Sequence, residues 1–490
     1  NGELKFFEYL LENGTSAVLK STIPPVTAPA WSSLVTGKNP GKHGVFSFLM
    51  IDKYGNARVV NSRSIKSATF WEVASIFGKK VCVINVPLTY PPKEVNGIIV
   101  PGMLTPPNKL IAYPLFIVDF LKKHSYLVDI YKLDIPKELL FEKILLMVKT
   151  RLNVSLKLFE IDKWDLFVVT FVAPDRVQHK FWNNSQKISE VYREIDDALK
   201  KLITVADKDY IVVIFSDHGF TSVKRKIKMN LWLARKGYLK VGKRLIGETL
   251  PSWPSILKER KDNILKRSVK KILSLIANIC EATGIDICKI WPNSIPLHYS
   301  IDFERSLAYF THHEAYGIHI MKSEKVVDYE TIRNRLIRDL TQAKDPITDE
   351  KLFKNVFRRE EIYWGRYLQY APDIILVPTR YESIFDPKIR CLDDNFVESY
   401  NGGFHDENGI FIMYGDGIRS GSLNSRVNIF DVAPTILHIL GVPIPADVDG
   451  RVLIEAYDDH NPLKFTEPKF ISSRDLLKIK VKTMTKLRRN

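Results

Sequence analysis

Apolar residues fall along this chain in two rhythms. Short uninterrupted runs, KKVCVINVPLTYPP at 79–92, WDLFVVTFVAPD at 164–175, DYIVVIFSDHG at 209–219 and DIILVPT at 373–379, break off abruptly into polar residues. Continuous Val/Ile/Phe runs of this length predict strands covered on both faces in a largely parallel sheet. Between them, PKELLFEKILLMVKTRLNVSLKLFEI (136–161) and SEVYREIDDALKKLITVA (189–206) return apolar residues at helical spacing. This alternation predicts an α/β, doubly wound core with a mostly parallel central sheet flanked by helices. Functional groups in such sheets gather at the carboxyl ends of the strands.

The texture changes at 245–300, where Leu265, Val269, Ile272, Ile276 and Ile279 recur every three or four residues with basic residues between them. That spacing predicts an amphipathic helix, read first as a cap over the core and only secondarily as a membrane or partner surface. The expected organisation is therefore a first core part at 1–244, a helical cap insertion at 245–300, a second core part at 301–460 and a basic tail at 461–490. Its end, RDLLKIKVKTMTKLRRN (474–490), reads as a solvated tail, with contact to an anionic membrane surface as the minor alternative.

Composition narrows the chemistry only a little. With 490 residues and 45% hydrophobic content the chain can bury a large core, and a net charge of +16 favours anionic partners. Cys82, Cys280, Cys288 and Cys391 form no Cys-x-x-Cys pair, which speaks against a disulfide framework or a thiolate zinc site. A reducing, cytoplasmic setting is the expectation. No run approaches the ~20 apolar residues of a membrane span, and no dedicated nucleic-acid module is evident.

Candidate chemistry sits where the runs end. In PPVTAPAWSSLVTGKNPGKHGVFSF (24–48), Thr27 stands at a tight turn before a helix with Pro29 near its start, so its hydroxyl is either a cap or a nucleophile. After the 164–175 run, Asp175 and His179 are four apart, one face of a helix if a helix begins there; Asp175 could equally be an N-cap. Asp217 and His218 leave the end of the 209–219 run, and His405 lies in the glycine-rich YNGGFH. His438, His312, His313 and His319 lack a carboxylate at ligand spacing and read as structural or surface residues. Two Asp/His clusters with one hydroxyl compose a two-metal site suited to phosphoryl transfer.

With TAPAW and TGKNPGKHG, PDRVQH, SDHG, GGFH and DVAPTILHILGVPIPADVDGRVL in place, the chain from about Val26 to Leu453 resembles the type I phosphodiesterase/nucleotide pyrophosphatase family of the alkaline phosphatase superfamily. The resemblance implies an alkaline phosphatase-like fold. It implies Thr27 as nucleophile and as ligand of one metal together with Asp217 and His218, and Asp175, His179 and His405 as ligands of the other. Zinc is the first expectation for both ions, with manganese as the alternative. The implied substrate is a phosphorylated small molecule, a nucleotide derivative among the candidates, cleaved at a phosphodiester or pyrophosphate bond through a phosphothreonine intermediate. A phosphomonoesterase, a phosphotransferase or mutase, and a non-catalytic anion-binding protein are the alternatives. No Cys-x-Pro-x-Arg is present to indicate sulfatase chemistry.

His43 matches a family position but follows a turn, and is expected to be structural, with the Gly-Lys-His-Gly stretch closing the helix that carries Thr27. Family members open with a strand ending in a metal-binding Asp, whereas this chain opens on NGELKFFEYLLENGTSAVLKS, which reads as the following helix and strand. That strand and carboxylate are expected to lie in sequence preceding Asn1. Nucleotide-cleaving members carry an Asn shortly after the His-Gly step where this chain has Phe48. Lys38, Lys42 or backbone N–H groups near Thr27 are expected to take its place at the phosphoryl oxygens.

Overall fold

The computed structural model describes residues 2–51, 57–107, 109–131, 135–206, 210–246, 297–312, 314–321, 328–390, 392 and 395–487. The amphipathic stretch at 265–279 and Cys280, Cys288, Cys391 and His313 lie outside the described residues; Cys82 is buried with a free thiol.

The helices that frame the site are α1 (Lys5–Asn13), α2 (Thr27–Thr36), α3 (Pro40–His43), α4 (Phe70–Ile76), α5 (Lys137–Glu160), α6 (Ala173–Phe181), α7 (Ser185–Ala206), α8 (Val432–Ile439) and α9 (Ser473–Leu487). The strands used below are β1 (Thr15–Lys20), β2 (Val81–Ile84), β3 (Gly97–Val100), β4 (Leu166–Val169), β5 (Val212–Phe215), β6 (Gly219–Lys228), β7 (Ile374–Pro378), β8 (Val397–Asp406) and β9 (Asn408–Tyr414). Each of the four apolar runs thus supplies one strand, and both helical patterns form the long helices α5 and α7.

β2 lies between β3 and β4, all parallel, with Val81 opposite both Gly97 and Leu166. β9 lies antiparallel between β1 and β5 in a second sheet. β6 pairs antiparallel with β8 in a third. Three details depart from the sequence reading, the first being that β5, read as one of the parallel strands, pairs antiparallel with β9. β7 is buried at every position yet pairs antiparallel with its neighbours, in a four-stranded sheet separate from the parallel one. β4 and β5 are only half buried throughout, because each is the last strand of its described sheet and has a partner on one side only.

α2 is buried along its whole length. Trp31 meets Phe215 of β5 edge-on at 6.1 Å, and Leu34 and Val35 join a core that includes Phe411, Met413, Val432 and Leu437. The helix ends at Gly37, whose φ of +68° continues no right-handed turn and whose N–H donates to Ser33 O at 2.8 Å. A Cβ there would come within 3.1 Å of Pro434 on α8. Gly41 to Gly44 therefore do not close α2, as the sequence suggested; they belong to the separate short helix α3 and its left-handed end at Gly44.

The basic C-terminal segment also departs from expectation, since α9 is a helix where a solvated tail was read. Ser472 and Asp475 bond reciprocally at its start, the S-x-x-D pattern that satisfies a first-turn N–H. Leu476 is buried, and Thr483 Oγ1 donates to Ile76 O of α4 at 3.4 Å. One packed face is enough to hold a helix that propensity alone would leave frayed.

Arg151 on α5 fastens the segment leading into the site. Fully buried, it donates from Nη1 to Thr170 O at 2.8 Å and from Nη2 to Leu127 O and Val128 O at 3.0 and 2.9 Å. One guanidinium thus serves three backbone carbonyls, of which Thr170 O also accepts from Asn85 Nδ2 at 3.4 Å. Arg151→Met fills similar volume but removes these three bonds, and is expected to cost about 2–4 kcal/mol, read as a lower denaturant midpoint at unchanged m-value.

Candidate active site

Thr27 opens α2, and Val26, in extended conformation, is the residue at the cap position with no side-chain cap bond. The threonine hydroxyl is therefore not spent on capping. Thr27 is buried, and its Oγ1 lies 3.3 Å from His218 Nε2. The backbone N–H groups of Thr27 and Ala28 belong to the first turn, which has no intrahelical acceptors, and Pro29 has no N–H.

His218 leaves β5 as the sequence anticipated. Its Nε2 is 3.3 Å from Asp217 Oδ2, so one imidazole nitrogen faces both the threonine hydroxyl and a carboxylate, while Nδ1 lies 3.1 Å from Gly219 O. Burial raises the Asp217 carboxyl above its ordinary range.

The second cluster forms around Asp175. Val172 occupies the cap position of α6, placing Asp175 within the first turn rather than at the cap. Helical spacing brings His179 Nε2 to 3.3 Å from Asp175 Oδ1. His405 arrives from β8 by register: pairing with β6 sets His405 opposite Phe220 and Asp406 opposite Gly219. His405 Nε2 lies 3.6 Å from Asp175 Oδ1 and 3.0 Å from His179 Nε2. The His405 ring also stacks on His218 at 3.7 Å, which makes the two clusters neighbours.

Three donor atoms, one each from Asp175, His179 and His405, lie within 4.8 Å of one another. Asp175 Oδ1 and His405 Nδ1 are buried without a hydrogen-bond partner, an arrangement that is costly unless something else completes it. Burial, and then His218, push His405 down to about 3, leaving its imidazole neutral. Burial opposes the Asp175 charge, but His179, His405 and Arg176 outweigh it and hold the carboxyl well below its usual range. One carboxylate and two imidazoles suit a divalent ion of the zinc type. Thr27, Asp217 and His218 offer a hydroxyl, a carboxylate and an imidazole beside it.

Several sequence candidates prove to have other duties. Lys38 Nζ pairs with Asp447 at 2.7 Å and Lys42 Nζ with Asp449 at 2.6 Å. Both lysines tie the α2–α3 turn to the VDG segment, so neither is free for a phosphoryl oxygen. Asp449 also accepts from Asn39 N at 2.8 Å and Trp364 Nε1 at 2.9 Å. Phe48 is a core residue. His43 is fully buried, lies 2.9 Å from Ser33 Oγ and is lowered to about 3 by burial and then by Lys38, which fits the structural reading. His312 lies 2.7 Å from Ser47 Oγ, and His438 donates to Leu463 O at 3.0 Å.

Two supporting residues escaped the sequence reading. Arg176 donates to Asp175 Oδ2 at 2.7 Å while held by Asp129 through Nε at 3.1 Å and Nη2 at 2.6 Å. Its position next to Asp175 was the available signal; Asp129, 47 residues from Arg176, gave none. Trp182 was also missed. It lies against Gly403, where a Cβ would approach its ring to 2.2 Å, which explains why glycine precedes Phe404 and His405.

The family model described as type I phosphodiesterase / nucleotide pyrophosphatase matches residues 1–388. Human ectonucleotide pyrophosphatase / phosphodiesterase 5 is 14% identical over 92% of this chain and 93% of its own, with a TM-score of 0.51. Phosphonoacetate hydrolase from Sinorhizobium meliloti 1021, in complex with phosphonoformate, is 15% identical over 90% of each chain, with a TM-score of 0.55. A mutant of the alkaline phosphatase PafA is 13% identical over 92% of this chain and 94% of its own, with a TM-score of 0.54. These likenesses establish an alkaline phosphatase-like fold. A Caenorhabditis elegans protein described as an extracellular sulfatase Sulf-1 homolog is 52% identical over 46 residues, which is 9% of this chain and 6% of that protein's length.

Arg176 fixes one oxygen of Asp175 and so aims the other. Arg176→Met is expected to weaken binding of an added divalent ion at this cluster by about 10–100-fold, measured by competition with a chromogenic chelator. His405→Ala, which removes a donor outright, should weaken it further.

Proposed function

On the premise that this chain belongs to the type I phosphodiesterase/nucleotide pyrophosphatase family and is a hydrolase of that type, we propose that it cleaves a phosphodiester or pyrophosphate bond with Thr27 as nucleophile. The observation that carries this reading is the Thr27 hydroxyl, buried, uncommitted to capping and 3.3 Å from His218 Nε2 at the start of a buried helix.

Thr27 Oγ attacks phosphorus, forming the Oγ–P bond as the bond to the leaving oxygen breaks; the proton lost from the hydroxyl ends on the leaving oxygen, and the alcohol or phosphate departs. Water then attacks the phosphothreonine: its oxygen bonds to phosphorus as the Oγ–P bond breaks, one of its protons returns to Thr27 Oγ, and the phosphorylated product leaves. The N–H groups of Thr27 and Ala28 point along the helix axis towards the reacting end and stabilise negative charge on the phosphoryl oxygens. They replace Lys38 and Lys42 in that role. His218 orients the hydroxyl, and Asp217 orients His218. Divalent ions, zinc before manganese, held by Asp175, His179 and His405 and by Asp217, His218 and Thr27, would supply Lewis-acid charge that favours deprotonation of the nucleophile and offsets charge on phosphorus. The substrate is a phosphorylated small molecule.

The test compares bis(p-nitrophenyl) phosphate with p-nitrophenyl phosphate. The diester is expected to be the better substrate by kcat/KM; a large excess of monoesterase activity would replace this reading with a phosphomonoesterase or phosphotransferase. Thr27→Ala should lower kcat by about a thousandfold or more. Wild-type protein quenched in acid during turnover should carry an aryl-phosphoryl adduct on the peptide containing Thr27. Full activity in Thr27→Ala would mean that water attacks phosphorus directly.

A further inference from the structure

A cavity of about 420 Å³ opens beside His179, between the end of α6, the starts of α5 and α7, and the first glycine of the YNGGFH loop. Its walls mix aromatic surface from Phe181, Trp182 and Tyr400 with polar and charged side chains. Lys137, Lys180 and Lys187 all line it, against one carboxylate, Glu138. Glu138 is already paired with Lys187 at 2.5 Å, and Lys187 is further fixed with its ammonium 4.6 and 4.9 Å from the Phe141 and Phe181 ring centroids. Among the described residues no ion pair engages Lys137 or Lys180. Asn183 and Asn401 add amide groups, and Trp182, seated against Gly403, forms a rigid side.

The excess of ammonium groups has a direction. His179 lines this cavity and belongs to the Asp175 cluster, so the two adjoin at that residue. Two cations without counter-ions, in a concave site with amide donors, attract an anion more strongly than the same residues would on an open surface.

We propose that this cavity is a subsite for a second anionic group, so that the physiological substrate carries one anion at the reacting phosphorus and another at Lys137 and Lys180. The inference rests on the phosphodiesterase reading for which bond is cleaved, and it narrows that reading to substrates bearing a carboxylate or further phosphate away from the scissile bond.

Two matched p-nitrophenyl phosphodiesters, one of pentanol and one of its ω-carboxylated counterpart, share a leaving group and differ only in the distal charge. Wild-type protein is expected to show a KM at least about tenfold lower for the carboxylated ester. That ratio should fall to within about twofold in Lys137→Ala/Lys180→Ala and return in Lys137→Arg/Lys180→Arg. Equal KM values in wild type, or a preference that survives the alanine pair, would overturn the proposal. Calorimetric titration with pentylphosphonate and ω-carboxybutylphosphonate asks the same question without turnover. If neither diester is hydrolysed but the carboxylated phosphonate binds tighter in a lysine-dependent way, the subsite stands and the diester reading fails. If both diesters are hydrolysed and neither assay shows a preference, the reverse holds.

Discussion

A carboxylate withdrawn from water has to be balanced by neighbouring charge or donors, and at Asp175 that requirement organises the surroundings. Oδ2 is met by Arg176, which is itself buried and held by Asp129. Oδ1 faces His179 and His405, neither of which completes a hydrogen bond to it. The result is a carboxylate with one oxygen fixed by protein and the other presented to whatever the imidazoles share. Were Arg176 absent, both oxygens would compete for the histidines, and the direction that makes the cluster useful would be lost.

The same economy governs Thr27. Its helix is buried on all sides, stopped at Gly37 by a left-handed turn and tied at the following turn to Asp447 and Asp449 through Lys38, Lys42 and Asn39. A helix held this firmly at its far end presents its first residue with little freedom. That is what a nucleophile needs, since misplacement of the reacting atom by even an ångström is costly in rate. The lysines that looked suited to binding phosphate instead support the scaffold, and the proposed oxyanion role is left to backbone N–H groups.

The antiparallel pairing of β6 and β8 joins these two halves. His218 precedes β6 by one residue, and register brings His405 opposite Phe220, so two imidazoles 187 positions apart stack at 3.7 Å. Gly402 and Gly403 allow this strand to pass beneath aromatic rings, since a side chain at either would collide with Tyr400 or Trp182. This glycine-rich stretch of β8 thus serves both the metal-type cluster and the cavity next to it.

Local pattern determined a good deal by itself. Four apolar runs fixed four strands, because a strand covered by neighbouring chain needs uninterrupted apolar residues, and the polar residues ending two of those runs carry Asp175, His179, Asp217 and His218. Helical spacing was enough to put Asp175 and His179 on one face. What the sequence could not decide was anything set by contact between distant segments. Strand direction is one case: β7 looks identical to a parallel strand until its partners are known. The occupation of Lys38 and Lys42 is another, since it depends on carboxylates some 400 residues away. Asp129 as anchor of Arg176, the seating of Trp182 on Gly403 and the helical packing of the basic C-terminal segment belong to the same class. Periodicity reports the environment of a residue along its own element, whereas charge balance and steric fit are settled by neighbours that only the tertiary structure brings together.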